Sequence, residues 1–382
     1  MLLEIHMLKN YPPVNLNRDD SGAPKSCFFG GVQRGRISSQ CLKRSWRISA
    51  MFQSLGSSGI RTRHMPELVA EKLRAWGVDE SFIDEAKTKL TAIANKEGKA
   101  SDKGITTQII FYADSEIERV AQRMKAMIEK DGSVKAFKKR NPKELDTLLE
   151  DAKVNPVTVD IALFGRMVTS KYFADVDASM QVAHAISTHL VNRESDYFTA
   201  VDDLIRDRDE DQDASGAGML GDIDYNSCCY YEYASLDTDA LRQNLRNAAN
   251  CDELIEELLP VLLRAMAMSN PSGKQNTFAG HVFPDFVMLE CKKDKIPLSY
   301  VNAFEKPVDA WGENPQIVAN SIRKLLRHIN RMDDAYELPI LHRVCFAQDF
   351  EERHLLAQGE WMDKFAQMGE ACVQWMREVD HV

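Results

Sequence analysis

Between Lys25 and Arg47 the chain carries six basic residues, Lys25, Arg34, Arg36, Lys43, Arg44 and Arg47, and no Asp or Glu. Ammonium and guanidinium groups at that density, beside Ser38, Ser39 and Gln40, are the donors a phosphate backbone takes up. That chemistry is binding, and no reaction follows from it. A carboxylate pair, Asp19 and Asp20, precedes it in the loop NRDD. Two carboxylates beside a phosphate-binding ridge could hold Mg²⁺ for phosphodiester hydrolysis. Adjacent side chains usually diverge, however, and an Asx-type turn explains the pair more simply.

Other patterns carry less. Gly216 to Gly221 spells G-x-G-x-x-G, but a dinucleotide site needs a strand before it and a helix after it. Here DEDQDAS precedes and DIDYN follows, and those acids repel a pyrophosphate, so a flexible loop is expected. His184 and His189, five apart, would stand about 140° from each other on a helix and could not share a metal. They are expected to be satisfied structural histidines. No Walker loop, G-x-S-x-G elbow or Cys–His nucleophile motif is present.

The basic residues need an element to align them, and Arg34 to Phe52 supplies one. Ser38 and Ser39 are N-cap candidates. At 100° per residue Gln40, Lys43, Arg44 and Arg47 share one narrow face. Cys41, Leu42, Ser45, Trp46, Ile48 and Phe52 fall opposite, so the helix should pack one side on a core and offer a donor-rich ridge on the other.

The 382 residues are 44% hydrophobic and 28% charged, enough for one large core or two to three domains. A net charge of −10 excludes a global positive field, so any contact with nucleic acid must be a local patch. Eight cysteines without a Cys-x-x-Cys fit neither a zinc knuckle nor an ordinary disulfide framework. A reduced, cytoplasmic protein is expected. The opening MLLEIHMLKN is too short and polar for a signal peptide, and no apolar run suits a membrane span.

Leu3, Ile5 and Met7 alternate with polar neighbours and predict an edge or half-buried strand. A Pro-, Gly- and Asp-rich loop then leads to the basic helix. From Gly56 to about Pro156 the pattern turns helical and charged, and reads as a helical insertion. Residues 119–143 hold nine basic side chains against Glu129 and Asp131. The cluster VKAFKKRNPK is the second candidate for nucleic-acid contact. VTVDIALFGRM predicts a strand and HAISTHLV a helix. Residues 202–213 carry seven acids and two arginines, ahead of β-like YNSCCYYEYASL, which suggests a projecting hairpin. Thr238 to Met268 is helical, HVFPDFVMLE and PLSYVNAF look like strands, and Gln316 to Met332 and Trp361 to Val379 read as helices. This order suits a βαββαβ, ferredoxin-like or RRM-like α+β core, without an RNP1 signature.

The blocks LNRDD, FFGGVQRGRISSQCLKRSWR, VDIALFGRM, AHAISTH, DYFTAVDDL and YVNAFEKPV run in order through the chain. Together they resemble the CasC family, the repeated backbone subunit of the type I-E CRISPR surveillance complex Cascade. The resemblance implies an RRM-like palm at 1–56, 183–191 and 233–382, the last with C-terminal helices. Helical fingers would span 57–182 and a thumb 192–232. It implies a non-catalytic protein that needs no cofactor and stacks head to tail on CRISPR RNA. RNA contacts would fall to Arg18, Lys25, Ser38, Gln40, Lys43, Arg44 and Arg47, to Arg166 and the wedge residue Met167, and to Thr199 and Leu220 of the thumb. Target DNA would meet Lys135, Lys138, Lys139 and Lys143. Further partners would be copies of the chain itself, subunits of the CasA, CasB, CasD and CasE types and a recruited nuclease, with no membrane. Related backbone subunits of type III complexes cut RNA with a loop aspartate and a metal, which makes Asp19 or Asp20 the enzymatic alternative.

Overall fold

The computed structural model of the chain describes residues 1–56, 58–94, 105–106, 109–140, 158–168, 173–200, 219–311 and 315–380. It divides into two compact units. Met1–Phe52, Val182–Ser235 and Leu259–Val382 form one, and Gln53–Gln181 with Leu236–Leu258 form the other.

The first unit is built on a large sheet. Its strands run in the order Glu360–Trp361, Ile340–Ala347, Phe286–Lys292, Leu2–Val14, Met219–Asp237, Ala185–Ser187, Val32–Ile37 and Ser26–Phe29. The opening strand, expected at an edge, lies in the interior. Its alternation misleads because the charged positions are buried with partners. Glu4 pairs with Lys292, and Glu290 accepts from Arg343 Nε at 2.6 Å. Arg343 Nη1 reaches Asp333 at 2.6 Å, and Tyr300 donates to Glu290 at 3.1 Å. Burial pushes the Glu4 carboxyl above its ordinary range against the pull of Lys292.

One face of the sheet carries Leu8, Cys229, Tyr231, Phe286, Met288 and Cys345, packed against Ile322, Leu325, Leu326 and Ile329 of the helix Ile317–Tyr336. PLSYVNAF, predicted as a strand, is the 3₁₀ turn Tyr300–Phe304. The Ser299 hydroxyl caps Val301, while Tyr300 and Phe304 turn into the core. HAISTHLV holds the short strand Ala185–Ser187 and no helix. Ala185–Ser187 pairs with Arg36 and Ile37 on one side and with Tyr230 and Tyr231 on the other. Strand pairing overrides a helical pattern of only about two turns, too short to be stable by itself. The C-terminal helix Phe365–Asp380 buries Met368, Cys372, Trp375 and Met376 along one side.

In the second unit the helices Met65–Ala75, Glu80–Ala94, Asp114–Asp131 and Val134–Lys139 enclose a core of Val69, Leu73, Ile83, Leu90, Val120, Met124 and Phe137. A two-stranded ladder joins Ile60–Thr62 to Ile110–Tyr112. The β-type run at 159–164 is a short helix, Val159–Phe164, and not a strand. The Asp160 carboxylate accepts the Gly59 N–H at 2.9 Å and closes this segment onto its own unit.

Candidate nucleic-acid interface

The helix Ser39–Arg47 begins where expected. Ser38 is extended, and its Oγ accepts from Cys41 N at 3.3 Å. Ser38 is buried, so its hydroxyl oxygen serves the cap. Leu42, Ser45 and Trp46 are buried, whereas Gln40 and Arg44 are exposed and Lys43 and Arg47 half-buried. The helix is therefore two-sided, with Gln40 and Arg44 turned outward. Ile48 departs from the predicted apolar face and is 46% exposed, because the helix ends at Arg47 and Ile48 is its C-cap.

The loop before the helix is held against its N-terminus. Asn17 Oδ1 accepts the Ser38 N–H at 2.8 Å, and the Asn17 carbonyl accepts the Lys25 N–H at 2.8 Å. Arg18 bridges to Pro24 and leaves its side chain exposed. Asn15 spans the loop to the long strand, donating to Gly22 O at 2.9 Å and Asp224 O at 2.8 Å. Neither asparagine was singled out in the sequence, yet both position the cations around them.

Two residues named in the sequence, Arg36 and His184, form a pair that it did not reveal. Arg36 Nη1 donates to His184 Nδ1 at 2.9 Å, across the strand pair that the helical reading of HAISTH concealed. Partial burial and the Arg36, Lys25 and Lys43 cations hold the His184 imidazole below its ordinary range. His184 is exposed within a basic cluster and is no core histidine. His189 is one: it is buried, with Nδ1 against Leu190 O at 2.8 Å and Nε2 accepting from Cys229 N at 3.2 Å.

Arg34 turns away from the ridge. It is fully buried and donates to Ser187 O at 2.9 Å, Phe304 O at 2.8 Å and Glu305 O at 3.2 Å. Gly30 abuts the same segment, where a Cβ would stand 1.7 Å from Glu305 O. Two of the sequence blocks, FFGGVQRGR and NAFEK, are thus joined by a guanidinium and a glycine.

Asp19 serves its own turn. Its Oδ1 accepts from Ser21 N at 2.9 Å, Ser21 Oγ at 2.7 Å and Ala23 N at 3.1 Å. The Ser21 hydroxyl holds this carboxyl below the ordinary carboxylate range. Among the described residues no cluster of three or more His, Cys, Asp or Glu could hold a metal, and no helix is long and apolar enough to cross a membrane.

Thr199 and Leu220 are cross-strand partners in the hairpin Glu194–Ala200 with Met219–Asp237, so both side chains lie on one face. Leu220 is 57% exposed. Gly221, last glycine of the G-x-G-x-x-G string, sits in this strand under Phe198, where a Cβ would meet the ring at 2.5 Å. Gly216 and Gly218 lie outside the described residues.

In the second unit GRM separates into three roles. Gly165 has φ +73°, and a Cβ there would stand 2.9 Å from Ala178 N. Arg166, expected to reach RNA, is turned inward and is a correction to that expectation. Its side chain, 1% exposed, binds Glu116 at 2.6 Å and Phe111 O at 2.9 Å. Met167 is 92% exposed at the mouth of a cavity of about 630 Å³ that Arg61, Phe111 and Asp177 also line. Lys135, Lys138 and Lys139 are exposed around the buried Phe137, at i, i+3 and i+4 of the helix Val134–Lys139. Lys143 lies outside the described residues.

Residues 3–371 match the family model described as CT1975-like protein. The chain belongs to the CT1975-like family. A chain of a solved structure titled "CRISPR RNA-guided surveillance complex, pre-nicking" is 26% identical, with a TM-score of 0.81 over 98% of this chain and 99% of that one. A second, titled "CRISPR RNA-guided surveillance complex", is 23% identical, with a TM-score of 0.71 over the same shares, and shares the fold. No curated protein matches. The resemblance to CasC-type backbone subunits read from the sequence blocks agrees with the family and with both structures.

Proposed function

We propose that the chain is a non-catalytic, CRISPR RNA-binding backbone subunit of the type I-E Cascade complex. Copies polymerise along the guide and present it for pairing with target DNA. One observation carries this: Lys25, Arg36 and Lys43 all act on His184, and Lys25 and Arg44 on Cys41, beside a helix N-terminus and an asparagine-braced loop, within a stretch, 25–47, that holds no Asp or Glu. Such donors grip phosphates and 2′-hydroxyls and leave base edges open to pair.

In this reading residues 1–56, 183–191 and 233–382 act as palm, 57–182 as fingers and 192–232, with the hairpin strands Glu194–Ala200 and Met219–Asp237, as thumb. Met167, Thr199 and Leu220 wedge between bases, at a cost of a few kcal/mol per unstacked step. Lys135, Lys138, Lys139 and Lys143 meet the target duplex. CasA, CasB, CasD and CasE types and a recruited nuclease complete the assembly.

Asp19, engaged by Ser21 and Ala23, favours a scaffold over a metal-dependent endoribonuclease. The test is sedimentation with guides of increasing length. Particle mass should rise stepwise with guide length, and a mass independent of length contradicts the proposal. Mg²⁺-dependent cleavage of a complementary RNA at regular spacing, abolished by Asp19→Ala or Asp20→Ala, would reverse the choice between scaffold and enzyme.

A further inference from the structure

The outward side of the helix Ile317–Tyr336 carries a second concentration of positive charge. Arg323, Lys324, Arg327 and Arg331 line a groove of about 650 Å³ in the sheet unit, together with Pro307, Val308 and one acid, Asp309. Two of the cations are fixed by the protein. Arg323 donates to Glu352 and, at 2.9 Å, to Asn320, and Lys324 donates to the Lys306 carbonyl. Arg327 and Arg331 stand one turn apart and exposed, and among the described residues neither forms an ion pair. Four cations meet Asp309 on the lining and Glu352, which also acts on Arg327, so the groove keeps a positive surplus. Burial and the neighbouring Lys306, Arg34 and Arg331 cations hold the Lys324 ammonium below its ordinary range, against only Glu305.

We propose that this groove is a second nucleic-acid site, which takes the phosphate backbone of one single strand, RNA or DNA. That strand is distinct from the guide, a distinction that rests on the function proposed above, whereas the groove itself does not. From Lys324 to Arg331 the helix rises about 10 Å at ~1.5 Å per residue. That length matches about three nucleotides of a stacked strand at ~3.4 Å each. Guanidinium forks at Arg327 and Arg331 suit bidentate contact with phosphate oxygens. Pro307 and Val308 give the sugars an apolar floor.

The two amide side chains of the groove, the ones suited to reading base edges, are already engaged. The Asn320 amide donates to Pro315 O at 2.8 Å and that of Asn330 to Leu355 O at 2.7 Å. The site should therefore be indifferent to sequence. An acidic protein segment, such as residues 202–213 of a second copy with their seven acids, is the competing occupant.

The experiment loads the full chain with unlabelled guide RNA and titrates a labelled 12-nucleotide strand, as RNA and separately as DNA. Wild type is compared with Arg327→Ala/Arg331→Ala and with Lys43→Ala/Arg44→Ala. The groove variant should bind the labelled strand about tenfold more weakly, with a log K against log salt slope shallower by about 1.4, at roughly 0.7 per phosphate contact. Guide loading and melting temperature should be unchanged. The RNA and DNA arms identify which strand the groove prefers. Labelled-strand binding within twofold of wild type overturns the proposal. So does a loss confined to guide loading, which would assign the groove to the guide path. A loss of self-association in nuclease-treated protein would assign it to the acidic segment. If no guide loads at all, the proposed function fails, while the labelled strand still reports on the groove.

Discussion

The turn Gly165–Met167 and the helix Ser39–Arg47 both display arginine and use it in opposite ways. Arg166 is enclosed by Glu116, Phe111 O and Ala174 O, and its charge goes into holding a loop from which Met167 protrudes. Arg44 has no acid near it in sequence and is offered outward. The difference lies in what the neighbouring backbone and carboxylates supply, and residue type alone does not reveal it. Arg34 repeats the lesson within the basic stretch, caged by three carbonyls two residues from Arg36, which faces His184.

The largest expected effect breaks the inward member. Arg166→Ala strands Glu116 in a buried site and should lower stability by about 3–5 kcal/mol, read by urea denaturation. A loss under ~1 kcal/mol would mean that the pair is not a clamp. Next, Lys43→Ala/Arg44→Ala should leave stability within about 0.5 kcal/mol. Guide affinity should fall about ten- to a hundredfold, as charge-assisted contacts worth about 1.5–3 kcal/mol are lost. The loss should be equal across guide sequences, and filter binding with two unrelated guides checks this. Third, Lys138→Ala/Lys139→Ala should weaken target-duplex binding by roughly fivefold and leave guide binding unchanged, since exposed charges contribute modestly. Equal losses would misassign that patch.

The smallest effect sharpens the description of the ridge. The His184 imidazole sits below its ordinary range and is neutral near pH 7.5. Acidification adds a positive charge, and an anionic guide favours that form. Affinity should therefore rise as the pH falls below the ordinary imidazole range, and His184→Ala should abolish the rise. An equal rise in the variant would place the titration elsewhere.

The ridge was legible because helical period and charge are both local: Ser38 as cap, Leu42 and Trp46 inward, Gln40 and Arg44 outward. What failed depends on distant partners. The opening strand read as an edge because Glu4 and His6 look solvated until Lys292, Glu290 and Tyr231 are brought beside them. Ala185–Ser187 is a strand only through its neighbours on both sides. Arg166 is indistinguishable from a ligand-binding arginine until Glu116, fifty residues earlier, closes on it. Asn15 and Asn17 offered no signal beyond their place in a turn-rich loop. Their role depends on Asp224 and Ser38 as partners.

Lysine acylation footprinting of the full chain, with and without guide RNA and read by mass spectrometry, tests the central claim most directly. Lys25 and Lys43 should be protected when guide binds, while Lys135, Lys138 and Lys139 stay reactive until complementary DNA is added. Equal labelling of Lys43 with and without guide would contradict the account.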